Sequence, residues 1–156
     1  MITVWRIAKL KYADSAYSGE GARLVAGRWH EAGQRVVYTS SSAALAALEV
    51  LVHTDTDLLP RTPFVAIPAT LPTRLQLLRL TSEDLPAHWN ALPSPPELRQ
   101  IGAEWLRTGK TAVLVVPSVI VPFEWNYLLN PAHPDFPKIQ IGEPREYRFD
   151  PRLSQR

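Results

Sequence analysis

The feature that most constrains this chain is Ala112–Val116, five apolar residues in a row (AVLVV) closed by Pro117. The run is far shorter than the roughly 20 apolar residues of a membrane span. It also lacks the polar alternation of a strand with one wet face, so it reads as a buried strand inside a sheet. Short β-branched and aromatic runs supply partners: Thr3–Ile7, Arg35–Thr39, Pro63–Ile67, Leu75–Leu80, Trp125–Leu129, Ile139–Ile141 and Tyr147–Phe149.

Two segments carry helical spacing instead. Ser41 or Ser42 caps a helix running to about His53, whose stripe of Ala44, Leu45, Leu48, Leu51 and Val52 is expected to face the sheet. Pro95–Thr108 is the second helix, with Ser94 as the expected cap and Gly109 at its end. A few helices among many short strands predict an α+β (mixed α/β) domain with mostly antiparallel pairing. Residues 1–156 are expected to form one domain, and 15 prolines fit many loops and short strands. Lys9–Gln34 is poorly periodic and rich in small residues, so it reads as a long functional or mobile loop.

Composition closes off several chemistries. Apolar content of 46% and charged content of 21% are those of a soluble globular protein. Without cysteine there is no disulfide, thiolate catalysis or zinc–cysteine site. His133-Pro134-Asp135 is too little for a metal, and none is expected. The formal charge is +2, and Lys and Arg are dispersed along the chain, so nothing singles out nucleic acid as a partner. The N-terminus, MITVWRIAKLKYADS, has no signal-peptide pattern, which predicts a cytoplasmic protein with no membrane association.

Candidate chemistry concentrates in Gly21–Glu49. Glu49 is the sole acid between Ser41 and Thr54 and lies at the margin of the expected apolar arc. A carboxylate there is either partly desolvated and directed at a ligand, or a boundary glutamate leaning to solvent. Arg28 follows Gly27, and its fork suits a phosphate or carboxylate unless it is a surface arginine in a loop. Tyr38 ends a strand, where its ring can stack on a heterocycle or fill the core. Thr39–Ser42 offer hydroxyls at a helix N-terminus, for an anion or for ordinary capping. Ser118 follows the buried strand. No G-x-S-x-G elbow exists, which favours hydrogen bonding over nucleophilic attack. Asn126, in Glu124–Pro131 (EWNYLLNP), is a candidate to orient a sugar or amide.

Together these residues resemble the RES-domain toxins of bacterial RES–Xre type II toxin–antitoxin pairs, a family named for an arginine, a glutamate and a serine. The matching residues are Arg28 in GRW, Glu49 in ALEVLVH and Ser118 in VPS; Tyr38 in VVYTS matches the family's site tyrosine. The segment PSVIVPFEWNYLLNPAHPDFPKIQIGEPREYRFDPRL looks like the family's ending, so the resemblance spans nearly the whole chain. One motif departs: the family's usual Gly-Gly-Arg-Trp-Asn is Ala26-Gly27-Arg28-Trp29-His30 here.

The resemblance implies an ADP-ribosyltransferase-like fold that takes NAD+ as substrate, with no prosthetic group, and cleaves its nicotinamide–ribose bond, arresting growth. The acceptor would be water or phosphate, or alternatively a protein or nucleic acid. It further implies Arg28 on the pyrophosphate, Tyr38 on the nicotinamide ring, Glu49 at the scissile bond and Ser118 on the ribose or amide. Asn126 and Arg6 are weaker candidates for the same site. The implied partner is an Xre-type helix-turn-helix antitoxin that blocks the site, with a homodimer as a further possibility. A reading of another class stays beside it, a non-catalytic nucleotide- or nucleic-acid-binding module.

Overall fold

In the computed structural model, which describes residues 1–154, the AVLVV run is the strand β5, Val113–Pro117. Val113 and Val115 belong to one apolar cluster, with Val4, Val37, Ile67 and Leu129. Leu114 and Val116 belong to another, with Trp29, Leu98, Trp105 and Leu128. Each face of the strand is therefore covered, which is why the run carries no polar residue.

The other strands are β1 (Ile2–Lys9), β2 (Val37–Ser40), β3 (Phe64–Leu71), β4 (Leu77–Arg79), β6 (Trp125–Leu129), β7 (Gln140–Ile141) and β8 (Arg145–Tyr147). They form one sheet in the order β4-β5-β6-β2-β1-β3-β7, with β8 also on β3. Every pairing is antiparallel except β4 with β5. The expected mixed α+β architecture is the one observed. The sheet is weakest at its middle: β1 and β2 share a single register pair, Trp5 with Ser40, whereas β1 and β3 pair along their whole length.

Three helices accompany the sheet: α1 (Glu20–Leu24), α2 (Ala43–His53) and α3 (Pro96–Thr108). The expected loop Lys9–Gln34 thus holds the short α1, preceded by a 3-10 turn at Leu10–Ser15. Ser42 caps α2 by accepting a bond from the Leu45 N–H at 3.1 Å. Pro95, not Ser94, stands at the N-cap of α3; Gly109 closes that helix as expected.

The face of α2 differs from the expected stripe. Ala44, Leu48 and Val52 are exposed, whereas Leu45 and Ala46 are buried. Ala46, Glu49, Val50 and His53 look into a cavity against the sheet. The helix is rotated so that Glu49 lies within its inward arc instead of at the margin. The carboxylate has hydrogen-bond partners across that interface, which removes the usual penalty for turning it inward.

Candidate active site

The cavity, of about 640 Å³, lies between α2, the loop Ala26–Trp29, the N-terminal part of α3 and the split between β1 and β2. Its lining carries four cations, Arg6, Lys9, Arg28 and Arg99, against one carboxylate, Glu49. Basic residues dispersed along the chain are thus gathered at one place, where low-dielectric walls strengthen their combined field.

Glu49 is held from two strands. Its Oε1 accepts a bond from Asn126 Nδ2 at 2.9 Å and from Ser118 Oγ at 3.3 Å. Asn126 is oriented in turn, because Ser40 Oγ donates to its Oδ1 at 2.9 Å. Sheet register sets this geometry: Asn126 pairs with Ser40 on one side and with Val116 on the other. Ser118 follows β5 directly. Its oxygen also accepts the N–H groups of Ile120 and Val121, both at 3.1 Å, which fixes the turn after the strand. Both bonds to the carboxylate fall on Oε1, leaving Oε2 as its oxygen for the cavity.

Ser118 does not stand where the sequence reading put it. It is fully buried and does not line the cavity, so its hydroxyl supports Glu49 instead of reaching a ribose or amide. The hydroxyls of Thr39, Ser40 and Ser42 are also committed internally. Thr39 donates to the Tyr127 carbonyl at 2.7 Å, Ser40 serves Asn126 and Ser42 caps α2. That stretch builds ordinary capping and cross-strand bonds, not an anion cradle. His133 Nδ1 accepts the Asp135 N–H at 3.0 Å, a turn contact.

Arg28 and Tyr38 form the opposite wall. Arg28 Nη1 donates to the Trp89 carbonyl at 3.2 Å, and Arg99 Nε donates to the Gly27 carbonyl at 3.2 Å. Partial burial lowers the pKa of the Arg28 guanidinium, opposed by the fields of Glu49 and Tyr38. Glu49 and Arg28 line the same cavity, yet they form no ion pair among the described residues. The cation remains free for a ligand. Burial raises the Tyr38 pKa, opposed by its bond from the Trp29 N–H and by Arg99 and Arg28. The phenol therefore stays protonated through the physiological range.

The loop bearing Arg28 is clamped to α3 by close backbone approach. A Cβ on Gly102 would collide with the Trp29 carbonyl oxygen. Gln34 Nε2 adds a bond to the Ala103 carbonyl at 3.2 Å. Gly27 is needed for space: its φ is not positive, and an added Cβ would come within 2.8 Å of His30 Nδ1 and of the Tyr38 hydroxyl.

Arg6 occupies the split between β1 and β2. Its Nη1 donates to the Tyr38 carbonyl at 3.0 Å, strapping the two strands where their pairing stops. Burial lowers its pKa, opposed by Tyr17, and its Nε is a buried polar atom without a partner. The structure thus brings Arg6, Arg28, Tyr38, Glu49 and Asn126 to one cavity and sets Ser118 just behind it. Sequence reasoning missed Arg99 and the docking role of Gly102. A glycine inside an otherwise regular helix, three residues after an arginine, was the available signal.

With this geometry in hand, comparison with known proteins is decisive. The RES domain, as a family, matches residues 3–150. The chain belongs to the RES-domain family. A relative named Toxin Res, from Photorhabdus laumondii subsp. laumondii, is 41% identical over 151 residues, covering 96% of each chain. One named Prs ADP-ribosylating toxin, from Sphingobium sp. (strain YBL2), is 39% identical over 154 residues, covering 96% of this chain and 94% of that one. In fold, the chain is similar to a chain of the M. tuberculosis MbcT-MbcA toxin-antitoxin complex. The TM-score is 0.76 at 19% identity, over 99% of this chain and 87% of that one. This RES-domain chain is thus similar in fold to a chain of a toxin-antitoxin complex and similar in sequence to named toxins. Among its described residues no helix is long and apolar enough to cross a membrane.

Proposed function

We propose that this RES-domain protein is the toxin of a toxin–antitoxin pair, and that its cavity binds NAD+ and cleaves the nicotinamide–ribose bond. One observation carries the reading: a single oriented carboxylate, Glu49, shares its cavity with Arg6, Lys9, Arg28 and Arg99. NAD+ has the matching charge pattern, with an anionic pyrophosphate beside a glycosidic carbon that becomes positive as the bond breaks.

Nicotinamide leaves as a neutral molecule, so no general acid is required. The transition state resembles an oxocarbenium ion, as in glycoside cleavage. A carboxylate about 4 Å from a full positive charge contributes about 4 kcal/mol at an effective dielectric constant of about 20. That is comparable with the ~3–4 kcal/mol typically lost when one preorganised electrostatic group is removed, a factor of about 10²–10³ in rate. Asn126 and Ser118 hold Oε1, so Oε2 is available to the developing charge without reorganisation.

Arg28, with Arg99 beside it, takes the pyrophosphate, and Tyr38 lays its ring against nicotinamide. Arg6 adds positive potential from the strand split. Asn126 is also close enough to the cavity to contact the ribose. The partner in this reading is an Xre-type helix-turn-helix antitoxin that covers the cavity. Hydrolysis or phosphorolysis is the first reading. Transfer of ADP-ribose to a macromolecule is the second, favoured by the name of the Sphingobium relative.

The test incubates the purified chain with NAD+ labelled in the adenosine half, with and without phosphate. Release of nicotinamide with free labelled ADP-ribose, or its 1-phosphate, supports the first reading. Label on a macromolecule supplied as cell extract supports the second. Intact NAD+ in every condition refutes both.

A further inference from the structure

We propose that His30 is a positioning residue whose Nδ1 accepts the hydrogen bond of the Tyr38 hydroxyl, so that Tyr38 offers a ring surface, not a hydrogen-bond donor, at the site. The proposal rests on the NAD+ reading of the cavity for its effect on turnover, while the hydrogen bond itself stands on geometry.

His30 is buried, and both its ring nitrogens have hydrogen-bond partners. Its Nε2 lies 2.7 Å from the Ala22 carbonyl and 2.9 Å from the Val25 carbonyl. A carbonyl oxygen only accepts, so Nε2 carries the ring proton and shares it between the two. In a neutral ring Nδ1 is then a bare acceptor. Nδ1 is 2.7 Å from the Tyr38 hydroxyl, so the phenol donates to it. The same oxygen accepts the Trp29 N–H at 3.3 Å. Tyr38 has one hydroxyl proton, and His30 uses it.

Two consequences follow for the site. Tyr38 has no proton left for a substrate carboxamide or ribose, so its contribution is the ring face and its placement. That placement is set by three pieces of chain meeting at His30: α1, the Arg28 loop and β2. The rings sit 5.5 Å apart at 58°. Gly27 packs against both partners without a side chain, so the pair also fixes the backbone next to Arg28. A shift of Tyr38 would carry the phosphate-facing arginine with it, and misplacements of about 1 Å cost as much as a hundredfold in rate.

Two isosteric variants separate this role from simple loop support. In His30→Asn the side-chain oxygen replaces Nδ1, keeping an acceptor for Tyr38 while losing the bonds to Ala22 and Val25. In His30→Gln the amide reaches those carbonyls while the acceptor for Tyr38 is lost. The proposal expects kcat for NAD+ loss to stay within about threefold of wild type in His30→Asn and to fall about tenfold or more in His30→Gln. It also expects His30→Gln to add nothing in a Tyr38→Phe background, since the two changes break one interaction. The reverse ranking of the two variants, or additive losses, would overturn it.

The wild-type ring provides a readout independent of turnover. Nitrogen-15 NMR of His30 at neutral pH should show a protonated Nε2 and a bare, hydrogen-bonded Nδ1. A protonated Nδ1 would overturn the proposal even if NAD+ is consumed. A bare Nδ1 in a protein that leaves NAD+ intact would keep the hydrogen bond and sink only the NAD+ reading.

Discussion

The carboxylate wall of the cavity, Glu49 with Asn126 and Ser118, stands on α2, β6 and the end of β5, whereas the wall bearing Arg28 and Arg99 is the loop Ala26–His30 pressed against α3. The first is fixed by strand register and side-chain hydrogen bonds. The second is fixed by backbone proximity, with Gly102 under Trp29 and Gly27 under the His30–Tyr38 pair. A site that must oppose a carboxylate to several cations gains from this division. If all were on one rigid element they would neutralise one another; on two, they face each other across the ligand.

The comparison breaks first at Glu49. Glu49→Ala should lower the rate of NAD+ loss by about 10²–10³ while the fold persists, because it removes the one oriented carboxylate. A purified Glu49→Ala protein consuming NAD+ at the normal rate would end its assignment.

Arg28→Ala should act on binding, raising KM for NAD+ about tenfold or more through loss of a charge-assisted contact worth about 1.5–3 kcal/mol. Arg28→Lys keeps the charge but not the planar fork and should recover only part of this. Unchanged KM in both would move the phosphate to Arg99 or Arg6.

Gly102→Ala probes the clamp. The added methyl meets the Trp29 carbonyl, and the resulting overpacking should cost about 1–3 kcal/mol of stability in denaturant titration. Its sharper sign is a raised KM with Glu49's environment intact, since the displaced loop carries Arg28. Ser118→Ala is the counterpart on the other wall. It strips the N–H groups of Ile120 and Val121 of their acceptor at a cost of about 1–3 kcal/mol, and it should lower kcat more than it raises KM.

The smallest effect expected is on pH. Tyr17 and Tyr38 are both raised above the ordinary phenol value by burial. The unfolded chain therefore loses these protons first, at about pH 10, while the folded state still holds them. Stability contributed by the two phenols is whole below that pH and falls as pH rises above it. Urea midpoints that stay level from pH 9 to 11 would contradict the burial of both hydroxyls.

Much of the architecture was legible in the chain. The AVLVV run announced a strand covered on each face, Ser41-Ser42 announced a cap for α2, which Ser42 supplies, and the β-branched runs announced most strands. These signals are local: chain propensity and the need to hide apolar surface act within a few residues. The candidate site was legible as a set of residues, Arg28, Tyr38, Glu49 and Asn126, which the fold brings to one cavity, but not as an arrangement. Ser118 read as a ligand contact because sequence cannot say whether a strand-end hydroxyl points into a cavity or behind it.

The sequence by itself determined most of the strands, the helices α2 and α3, a short list of candidate site residues, and that no cysteine chemistry is available. Only the tertiary structure decided that α2 turns Glu49 inward and leaves Leu48 and Val52 exposed, and that His30 closes on Tyr38. It alone brought Arg6, Lys9, Arg28 and Arg99 around one cavity. The physical reason is range. Propensity and capping are settled between neighbours, whereas helix rotation, charge convergence and hydrogen-bond direction depend on partners dozens of residues away, fixed only once the sheet has its register.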